Sequence, residues 1–229
     1  HPSGLFALGE FLNTNSRGLD ATVDTVTQAG AFRHRDRDGL AAQDMVGKVG
    51  YRDELFDLYA MFRNHSELKD IDKNAYVDND NATIDFKRRL WTYGATYRFN
   101  DRTKLKLTGG YSEMHRVAVD DSSAIGPSGA TDHTFSDTKY SGTMQTNELQ
   151  STVRLSNFEI VLGAGMYRET MSVQSYFTTS SFFGPFEYYS NLDSLALSAT
   201  TRDLFAQLDV NGTAFAAGWE RLSLIVGAR

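Results

Sequence analysis

Cysteine is absent from the 229-residue chain, so neither a disulfide scaffold nor a cysteine-ligated metal holds it together. Long apolar runs are absent as well, which excludes membrane-crossing helices and leaves no signal peptide within the sequence. Positive charge is in deficit. Lys and Arg number 23 against 29 Asp and Glu, and a net charge of −6 offers no basic face to neutralise nucleic-acid phosphates. Proline occurs three times only, whereas glycine, phenylalanine and tyrosine occur 19, 15 and 11 times. That balance suits strands that carry bulky groups to one side and small residues where neighbours approach closely. A mean hydropathy of −0.40 ordinarily points to a soluble protein. It does not exclude a membrane barrel, because half of every spanning strand of a barrel faces a polar interior.

The stretch from Leu90 to Tyr111 organises the rest. Trp91, Tyr93, Ala95, Tyr97 and Phe99 alternate with Thr92, Gly94, Thr96 and Arg98, the two-residue period of a strand with one apolar and one polar face. After Asn100, Asp101 and Arg102 the alternation resumes, with Leu105, Leu107, Gly109 and Tyr111 against Lys106, Thr108 and Gly110. The pattern predicts a long hairpin. Each arm has the roughly 9 to 11 residues of a tilted membrane-crossing strand, with aromatics at the ends of its apolar face. The reading is an all-β, antiparallel transmembrane β-barrel in the outer membrane of a Gram-negative bacterium.

About ten strands follow from the same period. Leu5 to Phe11 gives a first strand with an ambiguous register, Asn13 to Gly18 reads as a turn, and Leu19, Ala21 and Val23 give a second. Met45 to Tyr51 and Phe56 to Phe62 form a hairpin about Asp53, and Leu149 to Leu155 pairs with Phe158 to Met166 about Ser156 and Asn157. Leu204 to Val210 and Leu222 to Ala228 come last. Short connections are expected near Ser16, Asp53, Asp101, Ser156 and Gly212, and long ones near Asp36, Asp72, Ala130 and Gly184. In a meander, alternate connections share an end, so the short ones form one rim and the long ones the other. That asymmetry belongs to outer-membrane barrels and is not expected of a Greek-key sandwich. The polar positions Asp57, Arg63, Arg98, Lys106, Arg154 and Glu159 then line a wet lumen.

The last third resembles the barrel of TonB-dependent outer-membrane receptors. The likeness rests on Phe158 to Glu169 (FEIVLGAGMYRE), Asp203 to Val210 (DLFAQLDV) with its Ala206-Gln207 pair, and Glu220 to Arg229 with its Leu-x-Leu-x-x-Gly-x-Arg ending. The resemblance implies a barrel of about twenty-two strands with an N-terminal plug, so that some ten strands form a fragment of it. No plug sequence, energy-coupling box or C-terminal aromatic is in the chain. By the same resemblance the protein takes up a scarce nutrient, a siderophore, metal chelate or cobalamin, with the plug and TonB as partners alongside outer-membrane lipid and lipopolysaccharide. A small passive porin or structural barrel is the alternative.

Two loops carry candidate sites. Asp70, Asp72, Asn74, Asp78 and Asp80 set oxygen ligands at alternate positions, as a hard cation such as calcium requires. The EF-hand pattern fails, since Ala75 stands where a glycine is needed and Asn81 where the closing glutamate belongs. A solvated acidic loop fits the same residues, and no other cofactor is expected. Tyr176, Phe177, Phe182, Phe183, Phe186, Tyr188 and Tyr189 crowd one long loop, expected from about Ser175 to Thr200, where amphipathic rings could grip a nutrient or touch lipopolysaccharide. Catalysis is not expected. Proteases of the omptin type use an Asp pair and an Asp-His pair on opposing walls, whereas Asp120-Asp121 and Asp132-His133 fall in one loop here.

Overall fold

A strand with an apolar and a polar face can satisfy its backbone only against neighbours that share its period, and the chain builds such neighbours almost throughout. The computed structural model describes residues 3–18, 39–71, 82–121, 134–181, 184–191, 197–211 and 223–228. They form ten strands and, among the described residues, no helix: β1 (Gly4–Ser16), β2 (Leu40–Arg52), β3 (Phe56–Asp70), β4 (Ala82–Asn100), β5 (Thr103–Asp121), β6 (Phe135–Arg154), β7 (Phe158–Ser181), β8 (Gly184–Asn191), β9 (Ser198–Asn211) and β10 (Ser223–Ala228). All pairings are antiparallel. Nine strands follow one another in a single sheet, β1 to β7, then β9 and β10, while β8 pairs with the far end of β7.

The register puts the apolar sets of successive strands on one face. Leu58 lies opposite Tyr51 on β2 and Ala95 on β4, Ala95 opposite Leu107, Leu107 opposite Leu149, Leu149 opposite Ala164, and Ala164 opposite Leu204. Directly opposed residues share a face, so a slip of one residue anywhere would have broken the series. Among the described residues no second layer of protein covers this face. Phe56, Tyr93, Leu107 and Leu162 are 39, 40, 38 and 54% exposed, and the buried apolar residues among those described are Ala82, Val161 and Val210. In water each uncovered large side chain would forgo about 1.5–3 kcal/mol of burial.

Three hairpins close on short connections, residues 53–55, 101–102 and 155–157. Two of them share a device. Asp53 Oδ1 accepts the N–H groups of Leu55 and Phe56 at 2.8 and 2.6 Å, and Asn100 Oδ1 accepts those of Arg102 and Thr103, each at 2.9 Å. Such side-chain caps let Asp and Asn replace a backbone turn bond. Adjacent turns are also joined to each other. Arg98 N–H donates to Leu55 O, Arg154 N–H to Arg102 O and Asn211 N–H to Asn157 O, at 2.8, 2.7 and 2.9 Å. These bonds make one end of the sheet a continuous rim, and residues 17–39, 71–81 and 122–134 connect strands at the other end.

Several sequence expectations are corrected here. Asn13 to Ser16 is not a turn: β1 runs through it, paired with Gln43 to Leu40, so the connection near Ser16 belongs to the long-loop end. The expected strand at Leu19 to Val23 lies outside the described residues, as does the connection at Gly212. The long loop expected from Ser175 to Thr200 is largely strand, since β7 runs to Ser181 and β8 folds back on it. Strands also extend into the other polar segments, to Asp70, from Ala82, to Asp121 and from Phe135. The total of ten is reached with β8 in place of the expected second strand.

The apolar band slopes across the ladder. On β1 the apolar face carries Leu5, Ala7, Gly9 and Phe11, and the row at its midpoint, position 8, passes Lys48, Met61, Thr92, Gly110, Thr146 and Tyr167 to reach β9 at Thr201. The apolar set of β9, Leu204 to Val210, is centred six residues further on, at Gln207. Seven strand-to-strand steps of about 4.8 Å against six residues of about 3.3 Å mean that the strands tilt about 30° from the normal to the band. Barrels tilt their strands by a similar angle.

Candidate functional site

The face opposite the apolar band carries the charge. Asp57, Arg63, Arg98, Lys106, Arg154 and Glu159 all lie on it by register, Asp57 opposite Thr96 and Thr96 opposite Lys106, Arg154 opposite Glu159. They fall into two groups rather than one site. Near the short-turn rim, Asp57 accepts from Arg52 Nε at 2.9 Å, and Glu159 accepts from Arg154 Nε. Arg98, Lys104 and Lys106 stand beside them around a recess of about 460 Å³ that Thr96, Thr152 and Arg154 also line. The charge of Arg98 reaches Asp53, and Asp101 lines the same recess, but with Arg102, Lys104, Lys106 and Arg154 the cations outnumber the acids, so the foot of this face is locally basic on a chain that is acidic overall. Composition hid this patch. The alternation of Arg98, Lys104 and Lys106 with apolar neighbours could have revealed it.

Arg63 belongs to a second group toward the other end. Its guanidinium binds the Asp44 carboxylate, with Nε at 3.0 and 3.1 Å from the two oxygens, and His65 lies 3.6 Å from both Asp44 and Glu67. Lys69 reaches Glu67 at 3.2 Å, and Arg88 Nε donates to Ser112 Oγ at 3.2 Å. Between the groups lies a polar recess of about 380 Å³, lined by Tyr59, Thr92, Thr108, Thr146, Glu148 and Asp203 among others. Gly94 has a definite role here. The Tyr59 ring lies across it, and a Cβ on Gly94 would come within 2.3 Å of that ring.

At the rim, Asp53 is held below the usual carboxylate range. The Phe56 N–H is the largest cause, followed by the Tyr51 hydroxyl, and the Leu55 N–H and the charge of Arg98 add to it. Hydrogen bonds to the charged form favour that form.

The aromatic cluster is a hairpin, and its strands divide the rings between two faces. Phe177 opposes Tyr188 and Thr179 opposes Phe186, which places Phe177, Phe186 and Tyr188 on the charged side. Tyr176 opposes Tyr189 on the other side, where Phe135 stands 6.0 Å from Tyr176, centroid to centroid. Phe186, Tyr188 and Tyr189 are exposed, while Phe183 and Phe182 lie outside the described residues. Of the acidic set, Asp70 ends β3, its N–H bonded to Gly39 O at 3.0 Å. Asp72, Asn74, Asp78 and Asp80 lie outside the described residues. Asp120 and Asp121 are consecutive residues of β5 and so face opposite sides of the sheet, and Asp132 and His133 are outside the described residues.

These features define a β-barrel-like wall: an up-and-down antiparallel ladder, apolar on one face and charged on the other. No family model matches the chain, and no curated protein matches it. Among solved structures, the crystal structure of the ferric citrate transporter FecA in its unliganded form matches with a TM-score of 0.56 and 15% sequence identity. The match covers 91% of this chain and 30% of that one, so the chain spans less than a third of the transporter it resembles. At that identity the likeness concerns the fold.

Proposed function

We propose that the chain is part of the barrel wall of a TonB-dependent outer-membrane receptor that takes up a scarce nutrient such as a siderophore, a metal chelate or cobalamin. The observation that carries this reading is the unbroken register of apolar residues on one face and ion pairs on the other. Such a wall has a low free energy only with hydrocarbon on one side and water or protein on the other. The rim of short turns faces the periplasm and the long connections face outward. The basic foot around Arg98, Lys104 and Lys106 binds carboxylates of a plug domain. The β7–β8 hairpin presents Phe177, Phe186 and Tyr188 to the incoming nutrient, and inner-membrane energy acts on the plug. Catalysis has no part in this reading: Asp120 and Asp121 face opposite sides of one strand.

Deletion of the complete gene, followed by growth and radiolabelled uptake on limiting ferric chelates and cobalamin, tests the proposal. Loss of saturable, energy-dependent uptake of one of these supports it. Unchanged uptake with lowered permeability to many small solutes would replace it with a passive channel.

A further inference from the structure

The outer half of the charged face holds two arginines that its ion pairs leave out. Arg88 on β4 opposes Met114 on β5, and Arg116 on β5 opposes Phe86 on β4. The two are therefore diagonal neighbours on one face, about 7–8 Å apart at Cα.

Neither guanidinium meets a carboxylate among the described residues. Arg88 Nε donates to Ser112 Oγ at 3.2 Å, and Arg116 lies over the Tyr140 ring, 5.6 Å from its centroid. The flanking strands β3 and β6 are both described at this level, where they bring His65 and Glu67 on one side and Gly142 and Tyr140 on the other. The acids of this region are already engaged: Asp44 by Arg63, Glu67 by Lys69, and Glu169 by the Tyr167 hydroxyl. Asp120, the next acid along β5 on this face, stands four residues, about 13 Å, from Arg116.

Arg88 is exposed, whereas Arg116 is half-buried and Ser112 buried. A cation partly withdrawn from water beside a second cation raises the free energy of the wall until an anion joins them. Two guanidinium forks side by side match paired oxygens, such as those of carboxylates, in charge and in geometry. The pair also lies on the way in. Phe177 and Tyr188 of the β7–β8 hairpin are on the same face about four residues, or roughly 13 Å, further out, so a ligand gripped by those rings meets the arginines next.

We propose that Arg88 and Arg116, with the Tyr140 ring and the Ser112 hydroxyl, form an anion site on the inner wall, so that the nutrient is a metal chelate of net negative charge and not cobalamin. This rests on the uptake reading above and narrows its substrate.

The test measures equilibrium binding of radiolabelled probes to cells carrying the complete protein. The probes are negatively charged ferric catecholate and ferric tricarboxylate chelates, a neutral ferric hydroxamate chelate and cyanocobalamin. Wild type is expected to bind one of the negatively charged chelates most tightly, with an affinity that falls as salt rises. The double variant Arg88→Gln, Arg116→Gln is expected to lose about tenfold in affinity for that chelate, the scale of one or two charge-assisted hydrogen bonds. Arg88→Lys with Arg116→Lys keeps the charges and is expected to fall between the two, which separates lost charge from lost folding. Arg89→Gln, on the other face and 4.0 Å from Glu113, is expected to stay within about twofold of wild type. The inference is overturned if the glutamine pair binds as tightly as wild type, or if wild type prefers the neutral chelate or cyanocobalamin; the receptor reading survives either result. Absence of saturable binding to every probe would overturn the receptor reading itself, and this inference with it.

Discussion

Asp53 shows how a single side chain sets the geometry of the rim. It accepts two backbone N–H groups and the Tyr51 hydroxyl, at 2.8 Å for the last, so its charged form is favoured in the folded hairpin. The stabilisation is fully present above the unfolded value of about 4. It is lost as pH falls through the lower folded value. Amide exchange at Leu55 and Phe56 is therefore expected to accelerate below about pH 4, and Asp53→Asn is expected to remove that dependence. Gly109 offers a second test. Tyr93 lies across it to donate its hydroxyl to Asn147, satisfying two polar groups on an apolar face, and a Cβ at Gly109 would come within 2.5 Å of the Tyr93 ring. Gly109→Val is expected to cost about 1–3 kcal/mol of unfolding free energy, read from denaturant unfolding of the folded protein. Gly47→Val is the control, on the same face with open space around it.

At the scale of the element, legibility followed the solvent. Where one face of the sheet is apolar and the other polar, the period of two is strict. Residues such as Trp91 to Phe99 and Phe158 to Met166 could thus be assigned to the correct face from sequence alone. Beyond the band both faces are polar, and the signal vanishes. Asn13 to Ser16 looked like a turn because Asn and Ser favour turns, but cross-strand pairing to β2 overrode that preference. β8 was illegible for a related reason, since its rings fall on both faces. The hairpin nevertheless makes a sharp prediction of its own. If Phe186 and Tyr188 meet the nutrient, replacing both with alanine is expected to weaken uptake affinity at least tenfold, as loss of aromatic anchors commonly does. Tyr189→Ala, on the other face, is expected to leave it within about twofold. Concentration-dependent uptake by cells carrying each variant of the complete protein measures both.

For the whole molecule, three independent features support the proposed wall between lipid and water. The band slopes, the short turns follow its lower edge, and aromatic rings mark both of its margins. Phe56 and Tyr97 stand 4.9 Å apart at one margin, and Phe62 and Trp91 4.4 Å apart at the other, centroid to centroid. Six residues of β3 separate Phe56 from Phe62, about 20 Å along the strand. An outer-membrane band is about 25 Å tall. What no periodicity could supply was the identity of the cargo, because face and register constrain only which residues meet water.

The absence of cysteine makes the central claim directly measurable. In the full-length protein reconstituted into vesicles, single cysteines along β4 are labelled with a fluorophore and exposed to nitroxide-bearing lipid and then to a water-soluble quencher. Labels at Tyr93→Cys, Ala95→Cys and Tyr97→Cys are expected to be quenched by the lipid, and those at Thr92→Cys, Thr96→Cys and Arg98→Cys by the aqueous reagent, alternating residue by residue. Uniform quenching along the strand, or the opposite alternation, would contradict the account.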